Sequence, residues 1–186
     1  MILNLNRRKE LLISPVGQIP PWVSQDIAAH MHRIFRLTAR ITPLLKSIDF
    51  AYDADRNQYH STRILEVLDQ QAPESCAKIL AITKEDLFIP ILTHVYGEAQ
   101  LGGKACIVSI SRLLTYGESG NIEKGHKRMI KESAHELGHT FDLRHCEDPL
   151  CMMHYCRKIE DVDHKSDRFC RYCSILLNDA IQEMDL

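Results

Sequence analysis

Apolar positions fall into short blocks separated by polar breaks, and the spacing inside the blocks changes along the chain. Residues 3–16 carry the run Leu11-Leu12-Ile13, which predicts a buried strand closed off by Pro20-Pro21. Over 22–37, Trp22, Val23, Ile27, Met31, Ile34 and Phe35 recur at helical spacing, with Ser24 or the prolines as the start. Residues 39–45 predict a second strand and the polar stretch 53–57 a turn. Ile64, Leu65 and Leu68 predict a helix over 61–69, ended by Pro73. Residues 77–83 and 106–110 are short β-rich runs. Between them, 93–103 holds Val95, Tyr96 and Gly102-Gly103, the pattern of an edge strand followed by a turn. The clearest helix is 123–141, where Ile130, Ala134, Leu137 and Phe141 form one apolar stripe and Asn121 is the candidate cap. Strands alternating with helices imply right-handed crossovers and a mainly parallel sheet, with an antiparallel edge at the glycine turn.

Composition narrows the class without naming a function. The chain has 186 residues, 26% charged and 45% apolar, which suits a packed core rather than disorder. A net charge of -2 gives no general polyanion-binding surface. The longest apolar run, Leu87-Phe88-Ile89-Pro90-Ile91-Leu92, is broken by proline and far too short to span a membrane. No apolar segment of signal length follows the charged residues near the N-terminus, so a cytoplasmic location is expected. The unusual counts are 7 cysteines and 10 histidines. Cys146, Cys151, Cys156, Cys170 and Cys173 crowd together. An odd number of thiols in a chain without a signal favours metal or redox chemistry over a disulfide framework.

The strongest helix carries His135-Glu136-Leu137-Gly138-His139. Residues four apart share a helical face, so the two imidazoles can converge on one cation, and neutral imidazole suits Zn²⁺. Glu136 adjoins the first histidine, so its carboxylate can reach the metal's open side and accept a proton from water there. His145 returns to the same cation if the chain turns sharply near Asp142, and aspartate is among the residues that tolerate positive φ. Three histidines leave one position open, which is a catalytic rather than a structural arrangement.

His135-Glu136-x-x-His139-x-x-Asp142-x-x-His145 resembles the extended zinc motif of the metzincin metalloproteases, with Asp142 where those usually carry glycine. Cys146, Cys151, Met153 and Cys170-x-x-Cys173 narrow the resemblance to the archaemetzincins, over residues 134–173. It implies an α/β (α+β) fold, with a mixed twisted sheet and an antiparallel edge strand packed on the active-site helix. One domain over 1–186 is expected, made of a sheet-and-helix part (1–141) and a small zinc-stapled C-terminal part (142–186). The resemblance makes His135, His139 and His145 the catalytic zinc ligands and Glu136 the general base and acid. It places Met153 in a methionine turn and makes Tyr155 of Met153-His154-Tyr155 a candidate donor to an oxyanion.

Cys146, Cys151, Cys170 and Cys173 could close a tetrahedral structural Zn²⁺, giving two zinc ions per chain. A disulfide, a redox Cys-x-x-Cys or free buried thiols are the competing readings, and Cys156 competes with Cys151 for a place in the set. Cys76 and Cys106 are expected in the core. Arg157, Lys158, Lys165, Arg168 and Arg171 read as a solvated basic face, and Asp161, Asp163 and Asp167 interrupt it, which weakens a nucleic-acid reading. The function expected is a zinc-dependent peptidase acting on a peptide or protein that adds to the edge strand near 93–103. The alternatives are a zinc-organised module binding protein or RNA, and a zinc hydrolase of another amide or ester.

Overall fold

The computed structural model describes residues 10–114 and 122–184. The leading residues of the 3–16 run and the candidate cap Asn121 lie outside them. The described chain runs β1 (Glu10–Pro15), α1 (Pro21–Phe35), β2 (Thr38–Ile41), β3 (Tyr52–Asp53), β4 (Gln58–His60), α2 (Ser61–Gln70), β5 (Cys76–Thr83), β6 (Leu87–Phe88), β7 (Gly97–Ala99), β8 (Ala105–Ser109), α3 (Ile122–Thr140), α4 (Ile159–His164) and α5 (Arg171–Met184).

The main sheet has the order β2-β1-β5-β8-β7. Its first four strands are parallel, and β7 pairs antiparallel with β8. β5 is buried along its whole length because both faces of the sheet are covered. Period-two alternation divides its side chains: Leu80 and Ile82 join one core, Ile79 and Ala81 the other. The first core is filled by Val23, Ile27, Met31 and Phe35 of α1 and by Met129, Ala134 and Leu137 of α3. The second is filled by Ile64, Leu65 and Leu68 of α2. The mixed sheet with an antiparallel edge, packed on the helix that carries the histidines, agrees with the sequence expectation.

Some differences have simple physical causes. The strand expected over 39–45 stops at Ile41, because Pro43 follows and the strand lies on an exposed edge. The apolar run at 87–92 yields the two-residue strand β6. It joins β3 and β4 in a small second sheet, ordered β3-β4-β6, that the sequence pattern did not reveal. Lys165 is a correction: the expected solvated face does not include it, for it is 1% exposed and its ammonium lies 2.6 Å from Glu132 of α3. The cause is the docking of α4 on α3. Arg128 forms two 2.7 Å bonds to Asp163, and Lys131 donates to the carbonyls of Val162 and Lys165 at 3.0 and 2.6 Å. No helix among the described residues is long and apolar enough to cross a membrane.

Candidate active site and metal centres

The C-terminal end of α3 is built to stop. Asp142 has φ 64, its amide donates to the His139 carbonyl at 3.0 Å, and the Leu143 amide reaches the Gly138 carbonyl at 3.3 Å. These are the paired bonds of a Schellman end, with Asp142 in the left-handed position that glycine usually fills. Two further donors come from the sheet. The Gly102 amide donates to the His139 carbonyl at 2.9 Å, and the buried Lys78 ammonium donates to the carbonyls of Thr140 and Gly103. A cation at a helix C-terminus also complements the helix dipole.

This turn brings His145 back to His135 and His139, so that their ligand nitrogens all lie within 4.8 Å of one another. Nδ1 of His135 is 2.9 Å from the Met152 carbonyl, and Nδ1 of His139 is 2.6 Å from the Leu143 carbonyl. A carbonyl only accepts, so both Nδ1 atoms carry the proton and both Nε2 atoms keep a lone pair. Those Nε2 atoms face each other at 3.2 Å. Two acceptor nitrogens so placed repel unless a cation sits between them. Tetrahedral zinc with ordinary zinc–nitrogen bonds sets its donors about 3.3 Å apart, so the pair fits it. Burial holds all three imidazoles below their ordinary value, His135 far below and His145 to about 4, which keeps them neutral and able to ligate.

Glu136 is 6% exposed and lines the same cleft. Burial pushes its carboxyl well up, and the negative charge of Glu132 adds to the effect. It lies against Gly97 of β7. The cleft encloses about 860 Å³ between β7 with the stretch before it and α3 with residues 155–157. Tyr155, 41% exposed, sits on its rim with its ring 4.9 Å from that of His145.

Met153 is fully buried beneath α3, where Gly138 leaves it room: a Cβ there would lie 2.7 Å from Met153 Sδ. The Cys146 amide donates to the Met153 carbonyl at 2.9 Å, and Nδ1 of His154 donates to the Cys146 carbonyl at 3.0 Å. The segment after Met152 is therefore laced to the loop that carries His145.

Cys146, Cys151, Cys170 and Cys173 form the other group able to hold a metal, and Cys156 stands outside it. Cys146 and Cys170 sulfurs are 3.7 Å apart, near the roughly 3.8 Å that tetrahedral zinc with four thiolates requires. Amides of Met153 and Cys170 donate to the Cys151 sulfur at 3.4 and 3.3 Å, as they would to a thiolate. Cys76 and Cys106 are in the core. Sequence reasoning missed the carbonyls of Met152 and Leu143, the space at Gly97, the Lys78 cap and the Glu132–Lys165 pair. Backbone acceptors and empty space carry no residue signature, Lys165 read as ordinary surface charge, and nothing in the β-rich run singled out Lys78.

Comparison with known proteins places this geometry. The chain is 33% identical over 171 residues to an archaemetzincin of Methanocaldococcus jannaschii, covering 91% of this chain and 93% of that one. The crystal structure of an archaemetzincin from Methanopyrus kandleri superposes with a TM-score of 0.82 at 29% identity, over 97% of this chain and 99% of that chain. A crystal structure of a zinc-dependent peptidase from Methanocorpusculum labreanum gives 0.78 at 27% identity, over 90% and 100%. The sequence model of peptidase family M54 matches residues 23–179, and the chain therefore belongs to peptidase family M54.

Proposed function

We propose that this zinc-dependent peptidase works through the groups around the three histidines. His135, His139 and His145 would hold the catalytic ion, and the Met152 and Leu143 carbonyls, by accepting from Nδ1 of His135 and His139, fix which nitrogen of those two faces it. Zinc, when bound, acidifies water and polarises a scissile carbonyl. Glu136 accepts the proton from the attacking water and delivers it to the leaving amine. Tyr155, at the rim, donates its hydroxyl to the oxygen that becomes negative. The free edge of β7 aligns an extended peptide by main-chain hydrogen bonds.

The four cysteines would hold a second, structural zinc. Cys146 follows His145 directly, so fixing that sulfur fixes the third imidazole. Residues 142–186 thus act as a zinc-stapled part of one catalytic domain. None of the seven cysteines is joined in a disulfide, and a reducing cytoplasm would keep the four available to the metal.

The observation that carries this reading is the pair of acceptor nitrogens 3.2 Å apart, one on buried His135 and one on half-buried His139, with Glu136 beside them. The test is metal content together with turnover. Untagged protein should carry two zinc ions per chain and cleave peptides. Glu136→Gln should keep both ions and lose about a hundred- to ten-thousandfold in kcat/KM, given what general acid–base groups contribute. Full peptide hydrolysis by Glu136→Gln would sink the assignment of the proton carrier.

A further inference from the structure

The cleft does not end at Tyr155. Beyond it opens a recess of about 310 Å³, which shares His94, Tyr96 and Arg157 with the cleft and adds Arg112, Lys158 and Glu160. The guanidinium carbon of Arg157 lies 5.9 Å from the centre of the Tyr155 ring, which is itself 4.9 Å from that of His145. Arg157 is thus one aromatic ring beyond the third imidazole.

The cations of this recess are engaged unequally. Arg112 is occupied by Asp86 through two 2.7 Å bonds. His94 is held below its ordinary value by burial and then by Arg112, so it is neutral near pH 7. Asp161 accepts the backbone amides of Arg157 and Lys158 at 3.0 and 3.2 Å, which fixes the segment that carries both cations. No carboxylate is ion-paired with Arg157 or Lys158 among the described residues, although Glu160 lines the same recess. Of the acids on the cleft side, Glu132 is paired with Lys165, Glu98 accepts from the Thr62 hydroxyl at 2.8 Å, and Glu136 lies at the histidines.

We propose that this recess is a carboxylate subsite, in which the Arg157 fork, reinforced by Lys158, binds a carboxylate of the peptide being cut. Guanidinium matches carboxylate in shape and charge, so a fork at an open recess can still select it. The inference rests on the peptidase reading for its class of substrate. The carboxylate has two possible sources, an aspartate or glutamate side chain and the free C-terminus of a short peptide.

Zinc-loaded Glu136→Gln protein separates binding from turnover. The probes are uncharged decapeptides in which one aspartate is walked along the sequence, each prepared as free acid and as C-terminal amide, with asparagine controls. Calorimetry should show about fivefold or greater tightening for a favoured carboxylate, the scale of one modest charge-assisted bond. The preference should fall towards one in the Arg157→Ala/Lys158→Ala double variant and shrink with added salt, while Arg157→Lys keeps part of it. A favoured aspartate position identifies a side-chain subsite, and a preference for the free acid alone identifies C-terminal capture. Equal affinity for charged and neutral peptides, a preference that survives in the double variant, or binding by none of the peptides overturns the subsite. Turnover of the same peptides by the unmodified enzyme judges the other reading separately. Cleavage without carboxylate preference removes only the subsite, and carboxylate-dependent binding without any cleavage removes only the peptidase reading.

Discussion

Gly97 of the edge strand faces Glu136 so closely that a Cβ on it would lie 2.5 Å from Glu136 Cγ and 2.6 Å from the Ile107 carbonyl. The glycine therefore decides where the Glu136 side chain sits. Gly97→Ala is expected to displace the Glu136 carboxylate and lower kcat by about a hundredfold, the usual cost of an ångström-scale misplacement. Zinc content should be unchanged. Near-normal kcat in a folded Gly97→Ala protein would contradict this.

The cysteine set should control the histidine set from a distance. Cys173 is buried and takes no part in the cleft. Cys173→Ala is expected to remove one zinc per chain, lower the melting temperature and depress activity, because Cys146 would lose its anchor beside His145. Elemental analysis paired with a peptide assay checks it. Loss of one ion with full activity would show that the loop holds itself.

Lys165 and Glu132 form an ion pair with side chains 0% and 4% exposed. Breaking such a pair leaves an uncompensated buried charge, so Lys165→Met is expected to cost about 3–5 kcal/mol in denaturant unfolding. The double variant Lys165→Met/Glu132→Leu should recover much of that loss. Additive losses would mean that the two charges do not depend on each other.

Asp163 links α4 to Arg128 and Lys124 of α3. The hydrogen bonds from Arg128 hold its carboxyl below the ordinary value of 3.8. A depressed acid stabilises the fold fully above its unfolded value, and the contribution is lost as pH falls through the folded one. The urea midpoint should therefore drop below about pH 4, and Asp163→Asn should flatten that acid limb. An unchanged limb in the variant would assign the acid sensitivity elsewhere.

Asp142 occupies a left-handed position with φ 64. Asp142→Gly is expected to raise stability by about 1 kcal/mol, and Asp142→Val to lower it by at least as much. Thermal unfolding of the three proteins checks the order.

The candidate site was more legible in the sequence than the fold around it. His135, Glu136 and His139 stood out because a long amphipathic helix gives its positions a predictable facing, and His145 followed once Asp142 was accepted as a turn. Cys170 and Cys173 stood out by spacing, whereas spacing alone left Cys151 and Cys156 in competition. The small second sheet left no trace, since strands such as Tyr52–Asp53 and Leu87–Phe88 are too short to show alternation. Lys165 was misread because a lysine between charged neighbours looks solvated until the chain is known to fold back on α3. Gly97 was invisible because its contribution is the room it leaves.

The bonds from Gly102 and Lys78 to the last carbonyls of α3 bear on how the metal is won. Helix ends ordinarily fray, and His139 stands next to the final residue of this one. Here that end is tied to β5 and to the turn between β7 and β8, so the imidazoles of His135 and His139 are held by the fold itself. A metal held there would cost little ordering entropy, because the helix terminus would present two of its donors already in place.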